Sequence, residues 1–370
     1  MMEKTDIMMG NYDKIQSDAI SFMRIPLAIL VVLFHASLIF EQRNGIPYID
    51  ELNTPIYCMM DFLFGQSICA LAVPLFFFVS GLLFFWNVDG FNIKVYGNKL
   101  KSRFYSLLIP YLFWNLLILL HRFIVQQYFP AFISPQYKLI ADYHLTDFLS
   151  SFWNMSYVDS FWGNFPINGP LWFIRDLMIM NLLSPIVYYV MSCFKKYGAI
   201  VLFLLWLFDV LGGLGNFSKA ILFYSLGAYF GIMKTNILEK TAKCCKVFLS
   251  GYLLLLILAV VFRSSNILFL NKIEFVFGFV SMWWLAVLFS QKYPSLKLPA
   301  GASFFLFAAH HTIVRIIIKI FFVLTPIHSD WIYVLAYFVI TAITVLICLA
   351  FYGLLNRFTP KFCKIISGGR

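Results

Sequence analysis

The 370 residues are 61% hydrophobic and 12% charged, where a soluble domain runs at roughly 45–50% and 25%. That excess supplies about ten spans of ~20 residues. Because the apolar residues run in unbroken blocks instead of alternating with polar ones, a soluble globular protein and a transmembrane β-barrel are both excluded. The net charge of +11 would suggest nucleic acid in a soluble chain, but here the basic residues sit in short loops between the blocks, where they set orientation.

Apolar blocks bounded by charge or by Pro, Gly and Asn predict helices near 18–40, 57–86, 104–126, 170–192, 198–213, 216–233, 246–263, 267–290, 301–324 and 331–356. The fold class is therefore all-α, a polytopic helical membrane protein with about ten transmembrane helices. Residues 1–17 form a cytoplasmic N-terminal tail, 18–356 the transmembrane domain and 357–370 a cytoplasmic C-terminal tail. The first block follows a polar tail, carries Arg24 and lacks a small-residue cleavage motif, so it reads as a retained helix and not a signal peptide. Of the lysines and arginines, 18 fall in the two tails and alternate loops, 6 in the opposite set and 4 inside helices. The positive-inside rule then places both termini in the cytoplasm.

The one long loop, 127–169, falls outside and holds twelve aromatics, Tyr137, Tyr143, Trp153, Tyr157, Trp162 and Phe165 among them, interleaved with Asp142, Asp147 and Asp159. Aromatic faces beside carboxylates suit a sugar, which offers apolar C–H faces and a rim of hydroxyls; an interfacial aromatic belt is the plainer alternative. The seven cysteines show no metal-ligand spacing, so no metal is expected.

Ionisable groups inside spans cost at least a few kcal/mol, so each is a candidate functional residue. Arg24 and His35 are eleven residues apart in the first helix, which puts them on one face and ~16 Å apart along the axis. Such a pair can hold an anion at the inner mouth while presenting an imidazole to the far end of a long, thin substrate. In the ninth block His311, Arg315 and Lys319 form a basic stripe at i, i+4 and i+8, with His310 about 100° away; Asp61, Asp176, Asp209 and Glu274 are the acidic candidates to face it. Lys94, Lys99, Lys101 and Arg103 precede the third helix on the cytoplasmic side, where they can clamp phosphates or touch anionic lipid. Arg175 stands beside Asp176 in a run that opens Pro170-Leu171-Trp172.

These residues resemble the acyltransferase-3 family of integral membrane acyltransferases across residues 17–368. The most specific match is the Arg-x10-His signature of Arg24 and His35. Val73-Pro-Leu-Phe-Phe-Phe-Val-Ser-Gly81, Arg103 with Ile109-Pro-Tyr111, Leu171-Trp-Phe173, and Ser303-Phe-Phe with His310 support it. One departure is that the family's Arg-x-x-Arg reads Arg103 and Ser106 here, leaving half an arginine clamp for which Lys99 and Lys101 can stand in as point charges. The resemblance implies a transmembrane acyltransferase domain in its membrane-only form, in the bacterial inner membrane. It implies transfer of an acyl group, acetyl by expectation, from cytosolic acyl-CoA to a hydroxyl or amine of a glycan or lipid-linked sugar at the outer face.

On that reading His35 is the general base or a transient acyl carrier. Arg24, Lys99, Lys101 and Arg103 hold the donor, and Arg24, Arg315 and His310 are candidates to stabilise the oxyanion. Trp153, Trp162, Trp172, Arg175, His310, His311 and Arg315 are the expected acceptor side. A transporter or flippase for a lipid-linked glycan is the competing expectation; the chain shows no internal repeat and no matched pair of broken helices to support it.

Overall fold

A computed structural model describes residues 2–39, 41–43, 46–129, 138–158, 163–262, 268–294, 299–325 and 329–369. Trp162, Tyr137 and Asp159, named above, lie outside the described residues. In chain order the elements are α1 Met2–His35, strands β1 Gln42–Arg43 and β2 Ile46–Pro47, α2 Pro55–Phe85, α3 Ile93–Tyr128, α4 Leu145–Ser151, α5 Trp172–Leu182, α6 Ser184–Leu207, α7 Asn216–Ile232, α8 Ile237–Val261, α9 Leu268–Lys292, α10 Ala300–Leu324, α11 Asp330–Phe358 and α12 Pro360–Ile366. The strands form one antiparallel ribbon pairing Gln42 with Pro47 and Arg43 with Ile46.

Among the described residues eight helices are long and apolar enough to cross a membrane: α1, α2, α3, α6, α8, α9, α10 and α11. The difference from ten blocks is local. The 170–192 block breaks at Leu183 (ψ 1°), because Pro185 in the next turn has no N–H to bond the carbonyl four residues back. The chain reverses at Lys195 (φ 47°, ψ −128°), inside the loop expected at 193–197, and brings Gly198 against the Val190 carbonyl. α7 is 17 residues long. At the termini the expected tails are structured: α1 begins at Met2, and α12 folds back so that Trp114 Nε1 donates to the Ile366 carbonyl at 3.0 Å.

The tightest packing is α2 on α7. A Cβ on Gly81 would run into the Tyr224 carbonyl, and one on Gly227 into the Phe78 carbonyl. Small residues let the two backbones meet, which is how helices associate where lipid gives no hydrophobic drive. Around this seam Phe77, Phe78, Phe84, Phe85, Tyr224 and Trp283 are fully buried.

The described parts of the long segment after α3 are folded. Gln126 accepts from the Ile140 N–H at 2.8 Å, Lys138 Nζ donates to Asp147 at 2.7 Å, and the His144 N–H caps the same carboxylate at 2.8 Å. The Asn168 amide nitrogen then donates to the Ala308 carbonyl in α10 at 3.1 Å, docking the segment on the bundle.

Gly81→Ala and Gly227→Ala should each lower stability by about 1–3 kcal/mol, the cost of forcing a packed interface apart, seen as a fall in Tm in detergent. Gly97→Ala, with open space around its Cβ, should leave Tm unchanged. The Lys138 ammonium and the His144 N–H hold the Asp147 carboxyl below its usual range. Its support of the loop is therefore complete above about pH 4 and fades as pH falls through the depressed value. Asp147→Asn at pH 7 should raise hydrogen exchange across α4 to the level the native chain shows in acid.

Candidate active site

His35 is the last residue of α1, and two other helices hold that helix end in place. The Leu38 N–H donates to the Tyr57 hydroxyl at 2.7 Å, and the Asp330 carboxylate accepts from the N–H groups of Ile56 (2.8 Å) and Tyr57 (2.6 Å). The start of α11 thus caps the start of α2, which in turn ties the end of α1.

Across from it, α10 presents two more imidazoles. The His35 ring lies 5.2 Å from His310 and 5.1 Å from His311, centroid to centroid. His310 is fully buried, and its Nδ1 is 2.8 Å from the Phe307 carbonyl and 3.2 Å from that of Leu306. Carbonyls only accept, so Nδ1 carries the proton. That leaves the Nε2 lone pair free, and it has no partner.

His35, His311 and Arg315 line a cavity of about 250 Å³ together with Asp61 and Gln66. Ser37 and Tyr57 stand beside the Asp61 carboxylate, whose Oδ1 is unpartnered. Gln66 reaches this space from a π-helical turn, Phe62–Ile68, inside α2. The wider turn re-aims side chains that a regular α-helix would send elsewhere. Arg315 pairs with Glu41 at 3.0 Å, and with none of the four carboxylates expected from the sequence.

A second cavity, about 240 Å³, lies on the Arg24 side of the histidines. Arg24 and Arg103 both line it, among Phe76, Phe173, Phe307 and Ser303. Neither guanidinium has an ion pair among the described residues. The Ser303 hydroxyl donates to the Arg24 carbonyl at 2.8 Å and fixes α1 against α10 at this level. Lys99 and Arg103, one turn apart on α3, both face the Phe84 ring, at 5.4 and 5.7 Å. Lys101 is exposed on another side of the helix and does not join them.

Arg24 and His35 therefore share the α10-facing side of α1, as their spacing predicts, yet open onto different cavities. Phe307 stands between them. It lines the Arg24 cavity, and its ring centroid is 6.2 Å from that of His310.

The remaining candidates are placed apart from both cavities. Arg175 bonds Asp176 (2.9 Å) and the carbonyls of Trp153 (2.6 Å) and Asn164 (3.2 Å), with its guanidinium 5.4 Å from the Trp153 ring; it anchors the long segment. Trp153 is half exposed, and Trp172 packs by Phe77 in the core. Lys319 is exposed beyond the cavity that His311 and Arg315 line. Two residues escape the sequence reading. Glu41 is ordinary in a polar loop, whereas Gln66 was findable, since Asp61, Gly65 and Gln66 fall within six residues of an otherwise apolar block.

The sequence matches the acyltransferase domain family over residues 17–353. It is also 24% identical over 373 residues to the succinoglycan biosynthesis protein ExoH of Rhizobium meliloti (strain 1021), covering 96% of this chain and 92% of that protein. No solved structure matches the chain. The family match runs from before Arg24 through nearly all of α11, taking in every residue of both cavities. The chain belongs to the acyltransferase-3 family and is a multi-pass membrane acyltransferase.

Proposed function

We propose that this acyltransferase moves a short acyl group, acetyl in the simplest case, from acyl-CoA in the cytoplasm to a hydroxyl of a cell-surface glycan or its lipid-linked precursor on the outer side. The observation that carries the reading is the pair of unpaired guanidiniums, Arg24 and Arg103, in one cavity beside a cluster of three imidazoles. Two arginines without a carboxylate make an anion site, and phosphates are the anions a CoA ester brings. Lys99 and Lys234 extend the basic field. Lys234 Nζ donates to the Trp86 carbonyl and lies 3.7 Å from Asp89, close to Lys99 and Arg103. Lys99, Arg103 and Lys234 fall in loops that the charge tally assigns to the cytoplasm, and Arg24 lies toward the same end of its helix. The glycan acceptor is supported by likeness to a succinoglycan biosynthesis protein.

The chemistry follows from the geometry. The pantetheine arm extends from the arginines between Phe76, Phe173 and Phe307 toward His35, where apolar walls exclude water. An acceptor hydroxyl in the His35 cavity attacks the thioester carbonyl. A C–O bond forms, the C–S bond breaks, and His35 takes the hydroxyl proton and delivers it to the leaving thiolate. The His310 ring packs against the His35 ring, and Arg315 faces the oxyanion as charge develops on it. Transport of a glycan without bond making has no use for an anion site one layer of aromatics away from three imidazoles.

His35→Ala should reduce acyl transfer by 10²–10⁴-fold with the yield of folded protein and its Tm unchanged. Arg24→Ala should chiefly weaken donor binding, about 10–100-fold for loss of a charged hydrogen bond to phosphate. Near-normal transfer by His35→Ala in reconstituted protein contradicts the assignment. For topology, a cysteine at Tyr143 should react with an impermeant reagent in intact cells and one at Asn98 should not.

A further inference from the structure

A further cavity, about 520 Å³, belongs to neither site above. It lies between the π-helical turn of α2, the α6–α7 connection and the first turns of α9, and Gln66 lines it as well as the His35 cavity. The two spaces therefore share a wall one side chain thick.

Its ionisable lining falls into two kinds. Lys272 is fully engaged: its Nζ donates to the carbonyls of Trp206 (2.9 Å) and Leu207 (3.1 Å), capping α6, and pairs with Asp209 at 3.2 Å. Lys219 and Glu274 are not engaged. The Lys219 ammonium has no hydrogen bond or ion pair among the described residues. Glu274 is 4% exposed, and its Oε1 has no partner. A buried carboxylate and an ammonium held apart in one cavity are each costly in a membrane unless a ligand satisfies both. Trp206 and Phe275 add aromatic surface to the same walls.

We infer that this cavity binds the acceptor: an uncharged, polyhydroxylated sugar residue. Hydroxyls donate to Glu274, hydroxyl and ring oxygens accept from Lys219, and a pyranose C–H face lies on the aromatic rings. An equal number of unmatched positive and negative groups favours a ligand with no net charge. A cavity of this volume takes one or two hexoses, and Gln66 positions the hydroxyl that emerges toward His35. The proposal rests on the reading of the protein as a glycan acyltransferase and supplies that reading with an acceptor site. It also moves the site away from the aromatic segment around Trp153.

The test uses the full chain in nanodiscs, with no acyl-CoA present, so it reads sugar binding independently of His35 chemistry. Asn271→Cys, and separately Ser218→Cys, are labelled with a small methanethiosulfonate reagent, and the native chain gives the background. Methyl β-D-glucopyranoside should slow labelling at either position at least fivefold and leave exposed Cys193 unaffected. Adding Glu274→Gln or Lys219→Met should abolish the protection. No protection at either position, or no labelling at either, overturns the proposal. Protection by methyl β-D-glucuronide or glycerol phosphate but not by the neutral glycoside also overturns it, in favour of an anionic ligand. Loss of transfer in His35→Ala with sugar protection intact leaves this site standing, whereas normal transfer there with protection intact contradicts the catalytic reading alone.

Discussion

A cation inside a bilayer must find a counter-ion or a wet cavity, and this protein denies both arginines of its central cavity a counter-ion. Arg24 and Arg103 come from α1 and α3, sit among phenylalanines, and have no carboxylate to pair with among the described residues. Other charges in the bundle are paired, Arg175 with Asp176, Lys272 with Asp209 and Arg315 with Glu41, whereas Lys219 and Glu274 share the arginines' lack of a partner among the described residues. The exceptions are therefore informative. Unsatisfied charge at membrane depth is tolerated where a ligand completes it, and the shape of the bundle follows from keeping that space open beside the histidines.

The supporting structure is correspondingly rigid. Glycines close the α2–α7 seam, and the end of α1 is tied through Tyr57 to the cap that Asp330 places on α2. His35 thus sits on a helix end fixed by two other helices, close to α10, whose own register against α1 is set by Ser303. Within that frame the π-helical turn is the one irregular stretch of α2 that faces both His35 and the large cavity. On the proposed reading the acceptor hydroxyl is delivered past Gln66, which lines both cavities from the widened turn.

Much of this was legible in the sequence, because the signals are local. Unbroken apolar blocks give helices, and an eleven-residue spacing gives a shared face, so Arg24 and His35 were found together with His310, His311 and Arg315. What escaped depends on which segments meet. The Glu41–Arg315 pair joins a loop to α10 across more than 270 residues, and no spacing rule reaches that far. Lys219 and Lys272 count as loop charges in an orientation tally, yet one lines a cavity and the other caps α6. The aromatic segment around Trp153 reads as a sugar platform by composition, but that its polar groups fold it onto itself and onto Arg175 is not legible there. Periodicity also misplaced the break at Leu183, which a proline two residues later imposes.

On the proposed reading, the two cavities separated by Phe307 and His310 receive donor and acceptor from opposite faces, and the acyl group, not CoA, passes between them. Sealed proteoliposomes with the protein in one known orientation test this most directly, with acyl-CoA confined to one face and a glycan acceptor to the other. The account predicts product only when the donor is on the face nearest Arg24 and Arg103 and the acceptor on the opposite one. Efficient product with both substrates confined to the Arg24 face would contradict it.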